Sequence, residues 1–242
     1  ISLLTSAIIG AGMFSLPYVI NQIGLVTGLF YLFCLTIIVT IVHLMYGDII
    51  LKTSGHHNFV GYARIYLGKI AADLAILMSV LEMFIVLVIY LILSASFINL
   101  LIDSHILSIV EVLGFWLLGS MAIFWSLKKI AWVEFCTAFG LFCAVSLIFL
   151  FSWNNYNPIA EMNSFNGINF SNLFFPVGPI LFALYGRVGV MEIVKYFAPI
   201  RPVGKIRKAI IWGTVIPAVI YTLFIIGVLA ISSRVTEDGI SG

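Results

Sequence analysis

Gly10-Ala11-Gly12-Met13-Phe14-Ser15-Leu16-Pro17 interrupts an apolar run that starts at the first residue of the chain. Glycine weakens a helix through backbone entropy, and proline removes a backbone donor. An apolar helix carrying both is therefore expected to break here. A second stretch has the same character. Pro176, Gly178 and Pro179 precede Phe182-Ala183-Leu184-Tyr185-Gly186, and Gly189 follows.

The surroundings of both stretches are those of a membrane protein. Of 242 residues, 62% are hydrophobic and 9% are charged. An ordinary soluble domain carries about 25% charged residues. Mean hydropathy is +1.18. A bilayer core about 30 Å thick needs about 20 apolar helical residues. That window yields seven spans, over residues 1–20, 24–51, 70–101, 106–127, 131–153, 173–197 and 206–232. The runs are too long and too uniform for strands. The fold class is an all-α polytopic membrane protein, with its first and sixth helices broken.

The charges test the span count. Lys52, Arg64 and Lys69 lie between or beside spans 2 and 3, and Lys128 and Lys129 between spans 4 and 5. Lys195, Arg201, Lys205, Arg207 and Lys208 surround the junction of spans 6 and 7. Ten of the twelve basic residues thus fall on alternate connections, hence on one side. The positive-inside rule makes that side cytoplasmic. Residues 154–172 form an outer loop without Lys or Arg. The net charge of +2 gives no basic field, so no nucleic-acid partner is expected. Cys34, Cys136 and Cys143 lie in apolar runs and are read as small buried residues. No metal or cofactor spacing occurs. The chain starts with Ile and lacks a basic leader with a cleavage site. It is read as a piece whose start lies upstream, without a signal peptide.

Broken helices at spans 1 and 6 lie five helices apart, so they cross the membrane in opposite directions. That is the arrangement of a five-helix inverted repeat, which divides the chain into residues 1–153, the loop 154–172, and the start of a second repeat at 173–242. In secondary transporters of this kind the unwound backbone builds the substrate site near the bilayer midplane. Gly10, Ala11, Gly12 and Met13 are expected to bind an anionic group through freed N–H groups. Phe182, Ala183, Leu184 and Tyr185 would supply carbonyls and side-chain contacts.

Ionisable groups inside spans mark functional candidates. Arg187 follows the second break. It either binds a carboxylate or forms an ion pair within the bundle. Glu82 in span 3 relays protons, neutralises Arg187, or sits solvated near the cytoplasmic end. Glu192 gates the inner pathway or pairs with Lys195 along its helix. Tyr90 in span 3 is a substrate-facing candidate. His43 is read as a hydrogen-bonded packing residue, and Glu111 as a solvated residue at the end of span 4.

The sequence also resembles a known family. Gly10-Ala11-Gly12-Met13-Phe14-Ser15-Leu16-Pro17-Tyr18 with Gly24 is similar to the first helix of amino acid permeases of the amino acid/polyamine/organocation superfamily. The nearest likeness is to the amino acid/auxin permease group, including bacterial aromatic amino acid permeases. Phe182-Ala183-Leu184-Tyr185-Gly186 with Glu192 agrees, as does Lys208-Ala209-Ile210-Ile211-Trp212-Gly213-Thr214 with Pro217 and Tyr221. The resemblance implies a leucine-transporter-like fold in a prokaryotic cytoplasmic membrane. It implies an aromatic or large neutral amino acid held between helices 1 and 6, carried by alternating access in symport with H⁺ or Na⁺. Such permeases tend to have a small residue at the position of Arg187 and proline at that of Met191. The complete fold has ten core helices, so seven helices imply a truncated form lacking helix 8 and its share of the cation site. The resemblance does not extend to oligomeric state. Two other classes remain: a membrane-embedded transferase, and a channel or structural membrane subunit. No catalytic constellation or filter loop favours either.

Overall fold

A computed structural model describes residues 1–55, 57–101, 108–152, 174–197 and 202–231. Every regular element among them is helical. In chain order these are α1 (Ser2–Ile8), a 3-10 turn (Ala11–Ser15), α2 (Leu16–Ile23), α3 (Leu25–Lys52), α4 (Phe59–Leu67) and α5 (Lys69–Leu101). Then follow α6 (Ser108–Met121), a second 3-10 turn (Ala122–Phe124), α7 (Leu127–Ser152), α8 (Val177–Ala183), α9 (Arg187–Tyr196) and α10 (Val203–Ile231). The outer loop at 154–172, Arg201 and Arg234 lie outside the described residues.

α3, α5 and α10 contain 28, 33 and 29 residues. At about 1.5 Å per residue each is longer than a bilayer core is thick. With α8 and α9 counted as one crossing, five segments are long and apolar enough to cross a membrane, and α1 with α2 forms a sixth, bent by 51°. Of the expected fourth span, at 106–127, the described residues begin at Ser108. Among the described residues its helix has 14, and the turn at Ala122–Phe124 ends the ladder before Ser126 O accepts the Lys129 N–H at 2.9 Å. Large apolar side chains such as Phe33, Met83, Phe84 and Phe151 are exposed. Helices apolar all round need lipid against them.

One element is added to the expected spans, and two local expectations are corrected. The basic connection between spans 2 and 3 folds into α4. Asn58 caps that helix by accepting the Gly61 N–H at 2.8 Å, and Gly68 ends it at φ +86°. Glu111 is buried rather than solvated. Cys136 is exposed on α7, whereas Cys34 and Cys143 are half-buried; all three are free thiols.

The chain forms two compact units, residues 48–124 and residues 1–47 with 125–242. In the first, α5 packs against α4 and α6. Within the second, α10 packs on α1, α2, α7 and α9. Leu4 of α1 is fully buried at the centre of that packing. It fits because its neighbours are glycines. A Cβ on Gly213 would lie 2.8 Å from Leu4 Cβ, and one on Gly189 would lie 2.9 Å from Leu4 Cα. Small residues allow membrane helices to approach this closely.

Candidate functional site

Both interruptions expected from the sequence are present, in the larger unit. α1 stops at Ile8, where Ile9 turns extended (φ −70°, ψ 106°) and Gly10 follows at φ −154°, ψ −161°. The chain re-enters a helix through the 3-10 turn, whose first bond runs from the Met13 N–H to Gly10 O at 3.2 Å. The N–H groups of Gly10, Ala11 and Gly12 precede that bond and point out of the start of a helix. Ser15 Oγ donates to Gly12 O at 2.9 Å and tightens the turn. Pro17 causes no break; it sits in the first turn of α2, where its missing donor costs nothing.

The second interruption lies later than the prolines. Pro176 and Pro179 belong to the start of α8. The backbone departs from the helix at Leu184 (φ −87°, ψ 0°) and Gly186 (φ −147°, ψ 21°), and α9 begins at Arg187. The Leu184 N–H still bonds Ile180 O at 3.0 Å, and the Val190 N–H bonds Gly186 O at 3.2 Å.

The two breaks meet. A Cβ on Gly12 would lie 2.8 Å from Ala183 Cα and 3.0 Å from Phe182 Cδ1. One on Gly186 would lie 2.6 Å from Ile8 Cγ1. Gly12 thus faces the end of α8, and Gly186 faces the end of α1. Position rises along one segment as it falls along the other, so the two run antiparallel. Each pairing sets a carbonyl end of one broken helix beside an amide end of the other. The helix dipole makes the first negative and the second positive.

Tyr221 of α10 joins them. Its side chain is fully buried, and its hydroxyl lies 2.8 Å from Ile8 O and 3.0 Å from Ala183 O. In an unbroken helix those carbonyls would accept from the N–H groups four residues on, at Gly12 and Arg187. The phenol replaces both lost donors.

The residues singled out from the sequence divide by exposure. Gly12, Met13, Ala183 and Leu184 are buried, and Gly10 and Ala11 half-buried. Phe182 and Tyr185 retain 37% and 38% exposure. The Arg187 guanidinium lies 5.8 Å from the centre of the Tyr185 ring, within cation–π range. Glu192 is exposed on α9. Glu82 and Tyr90 both lie on α5 in the other unit, half-buried and exposed respectively.

His43 is buried, and its Nδ1 lies 3.0 Å from Thr214 Oγ1. Thr214 donates its own proton to Ile210 O at 3.0 Å. The imidazole Nδ1–H therefore donates to Thr214, tying α3 to α10 as a packing residue would. A groove of about 430 Å³ between these helices is lined by Leu32, Phe33, Thr36, Thr40, Ala218 and Thr222 among others. All three threonines donate to carbonyls of their own helices, Thr36 to Leu32 O, Thr40 to Thr36 O and Thr222 to Ala218 O. The groove therefore offers apolar surface suited to a lipid chain or a neighbouring helix, and little for a zwitterion. No His/Cys/Asp/Glu cluster able to hold a metal occurs among the described residues.

Comparison with curated proteins and with solved structures returned no match. A family model matches residues 1–237, nearly the whole chain, and these paired breaks thus belong to a member of the tryptophan/tyrosine permease family.

Proposed function

We propose that the paired breaks form the amino acid site of this permease, and that it moves an aromatic amino acid by alternating access. Transport of amino acids across a membrane, rather than an enzymatic reaction, follows from the family. The observation that carries the site is the antiparallel meeting of the two breaks, with Gly12 against Ala183 and Gly186 against Ile8. An amino acid is a zwitterion, and each meeting point offers both signs of helix dipole. The N–H groups of Gly10, Ala11 and Gly12 take the carboxylate, with Met13 closing the turn beneath them. Phe182, Ala183, Leu184 and Tyr185 line the ammonium and side-chain end, and the two exposed rings suit an aromatic substrate.

Arg187 adds a positive charge at the start of α9. The Tyr185 ring lies beside it, 5.8 Å from guanidinium to ring centre. Glu82, Arg187 and Glu192 are the candidates for coupling or gating, and Tyr90 is a substrate-facing candidate on its sequence position alone. An inverted repeat with its first half at 1–153 and its second from 173 accounts for the antiparallel breaks. H⁺ or Na⁺ symport, a prokaryotic cytoplasmic membrane, and cytoplasmic basic loops complete the proposal.

Uptake of radiolabelled tryptophan, tyrosine and leucine by the full-length chain in proteoliposomes tests it. Imposed H⁺ and Na⁺ gradients are compared with none. Saturable uptake favouring the aromatic substrates, raised severalfold by one gradient, is expected. Uptake that ignores both gradients overturns symport, and a preference for leucine overturns the aromatic assignment.

A further inference from the structure

We propose that Tyr221 is the positioning residue of the transport site, resting on the substrate site proposed above: one phenolic proton, shared between Ile8 O and Ala183 O, fixes the spacing of the two breaks. Three observations converge. The hydroxyl lies 2.8 Å from one carbonyl and 3.0 Å from the other. Each carbonyl is among those whose helical donors were lost at its break. The ring is fully buried, on a helix that also carries Pro217 one turn earlier and Gly213 one turn before that.

The chemistry is asymmetric. A phenol has one proton to donate, and the two carbonyls are two acceptors. It serves both through a three-centre bond only while the ends of α1 and α8 stay at their present separation. Any motion that parts them leaves one buried carbonyl without its donor, which is costly in an apolar interior. Tyr221 thereby couples the position of α1 to that of α8 and favours the arrangement in which a carbonyl end and an amide end face one ligand together. It need not touch the substrate to act in this way.

Tyr221→Phe in the full-length chain, reconstituted in proteoliposomes, removes the proton and keeps the ring. The KM for tryptophan uptake is expected to rise at least tenfold, while uptake at saturation falls less than threefold. Thr222→Val serves as the control, because that neighbouring hydroxyl bonds only within its own helix and its loss should leave KM within twofold. A Tyr221→Phe KM no higher than that of Thr222→Val overturns the positioning role. So does loss of uptake at saturation with KM unchanged, the mark of general damage. Where Tyr221→Phe does not reach the membrane, Tyr221→His, which returns a donor on a ring, is measured in its place. Uptake by the histidine variant with KM within tenfold of wild type supports the role. Failure of both variants to accumulate, or a histidine KM beyond that range, overturns it in favour of ring packing. Wild-type protein that takes up no amino acid refutes the substrate site itself, whereas a working wild type with an indifferent Tyr221→Phe refutes only the positioning.

Discussion

Gly12 is where the absence of a side chain matters most. Its missing Cβ would lie 2.8 Å from Ala183 Cα and 3.1 Å from Ala183 N, both backbone atoms that cannot swing aside. Leucine there must push α8 away from the 3-10 turn, separating the carbonyl and amide ends a zwitterion would use. Gly12→Leu is expected to abolish uptake, and Gly12→Ala to reduce it more than tenfold. Gly140 on α7 has no atom within 4 Å of its ideal Cβ. Gly140→Ala should therefore leave uptake and membrane insertion unchanged. Unimpaired uptake by Gly12→Leu would remove the break from the site. This glycine was legible in the sequence because its signal is local, two glycines and a proline in one apolar run. Tyr221 carries no such local signal. Its role depends on carbonyls 213 and 38 residues away, and no periodicity marks one aromatic among 20 Phe, 10 Tyr and 5 Trp. Leu4 was equally hidden, since the glycines that admit it belong to α9 and α10.

A broken helix exchanges backbone hydrogen bonds for exposed polar ends, which in hydrocarbon costs several kcal/mol per unsatisfied group. The chain limits that cost in two ways. The 3-10 turn restarts the ladder within three residues of Gly10, and Tyr221 supplies the carbonyl ends. The prolines around residue 178 read in sequence as part of the second break, yet they start α8, because proline fits the first turn of a helix. α4 was missed for a related reason: its apolar pattern is brief, and its start signal is a single Asn58 inside a basic connection. That cap makes a testable claim. Asn58→Ala deletes the acceptor of the Gly61 N–H and should destabilise α4 by about 1 kcal/mol. Amide hydrogen exchange across residues 59–67 should then quicken roughly fivefold, with exchange in α10 unchanged. Equal protection in the variant would show that packing against α5, not the cap, holds α4.

The orientation of the whole chain decides which face each half-helix opens toward. Our proposed orientation, drawn from ten basic residues on alternate connections, has the start of α10 in the cytoplasm and the start of α8 outside. α8 and α9 together are long and apolar enough to carry the chain once across, over the 20 residues Val177–Tyr196. Phe174, just before α8, is 81% exposed, and Lys205 lies exposed in the first turn of α10. The two positions should therefore lie on opposite sides. With Cys34, Cys136 and Cys143 replaced by serine, Phe174→Cys in intact cells should react with a membrane-impermeant maleimide. Lys205→Cys should react only after permeabilisation. The reverse pattern would invert the topology and leave the breaks untouched; labelling of both from one side would remove the crossing through α8 and α9, and with it the antiparallel relation that an inverted repeat requires. If the expected pattern holds, α1 rises from the cytoplasm and α8 descends from outside, and their carbonyl ends converge on Tyr221 from opposite faces. A motion that opens the site to one side must then move one of those ends relative to the other, so the shared phenolic proton lies on the path of any alternation between the two faces.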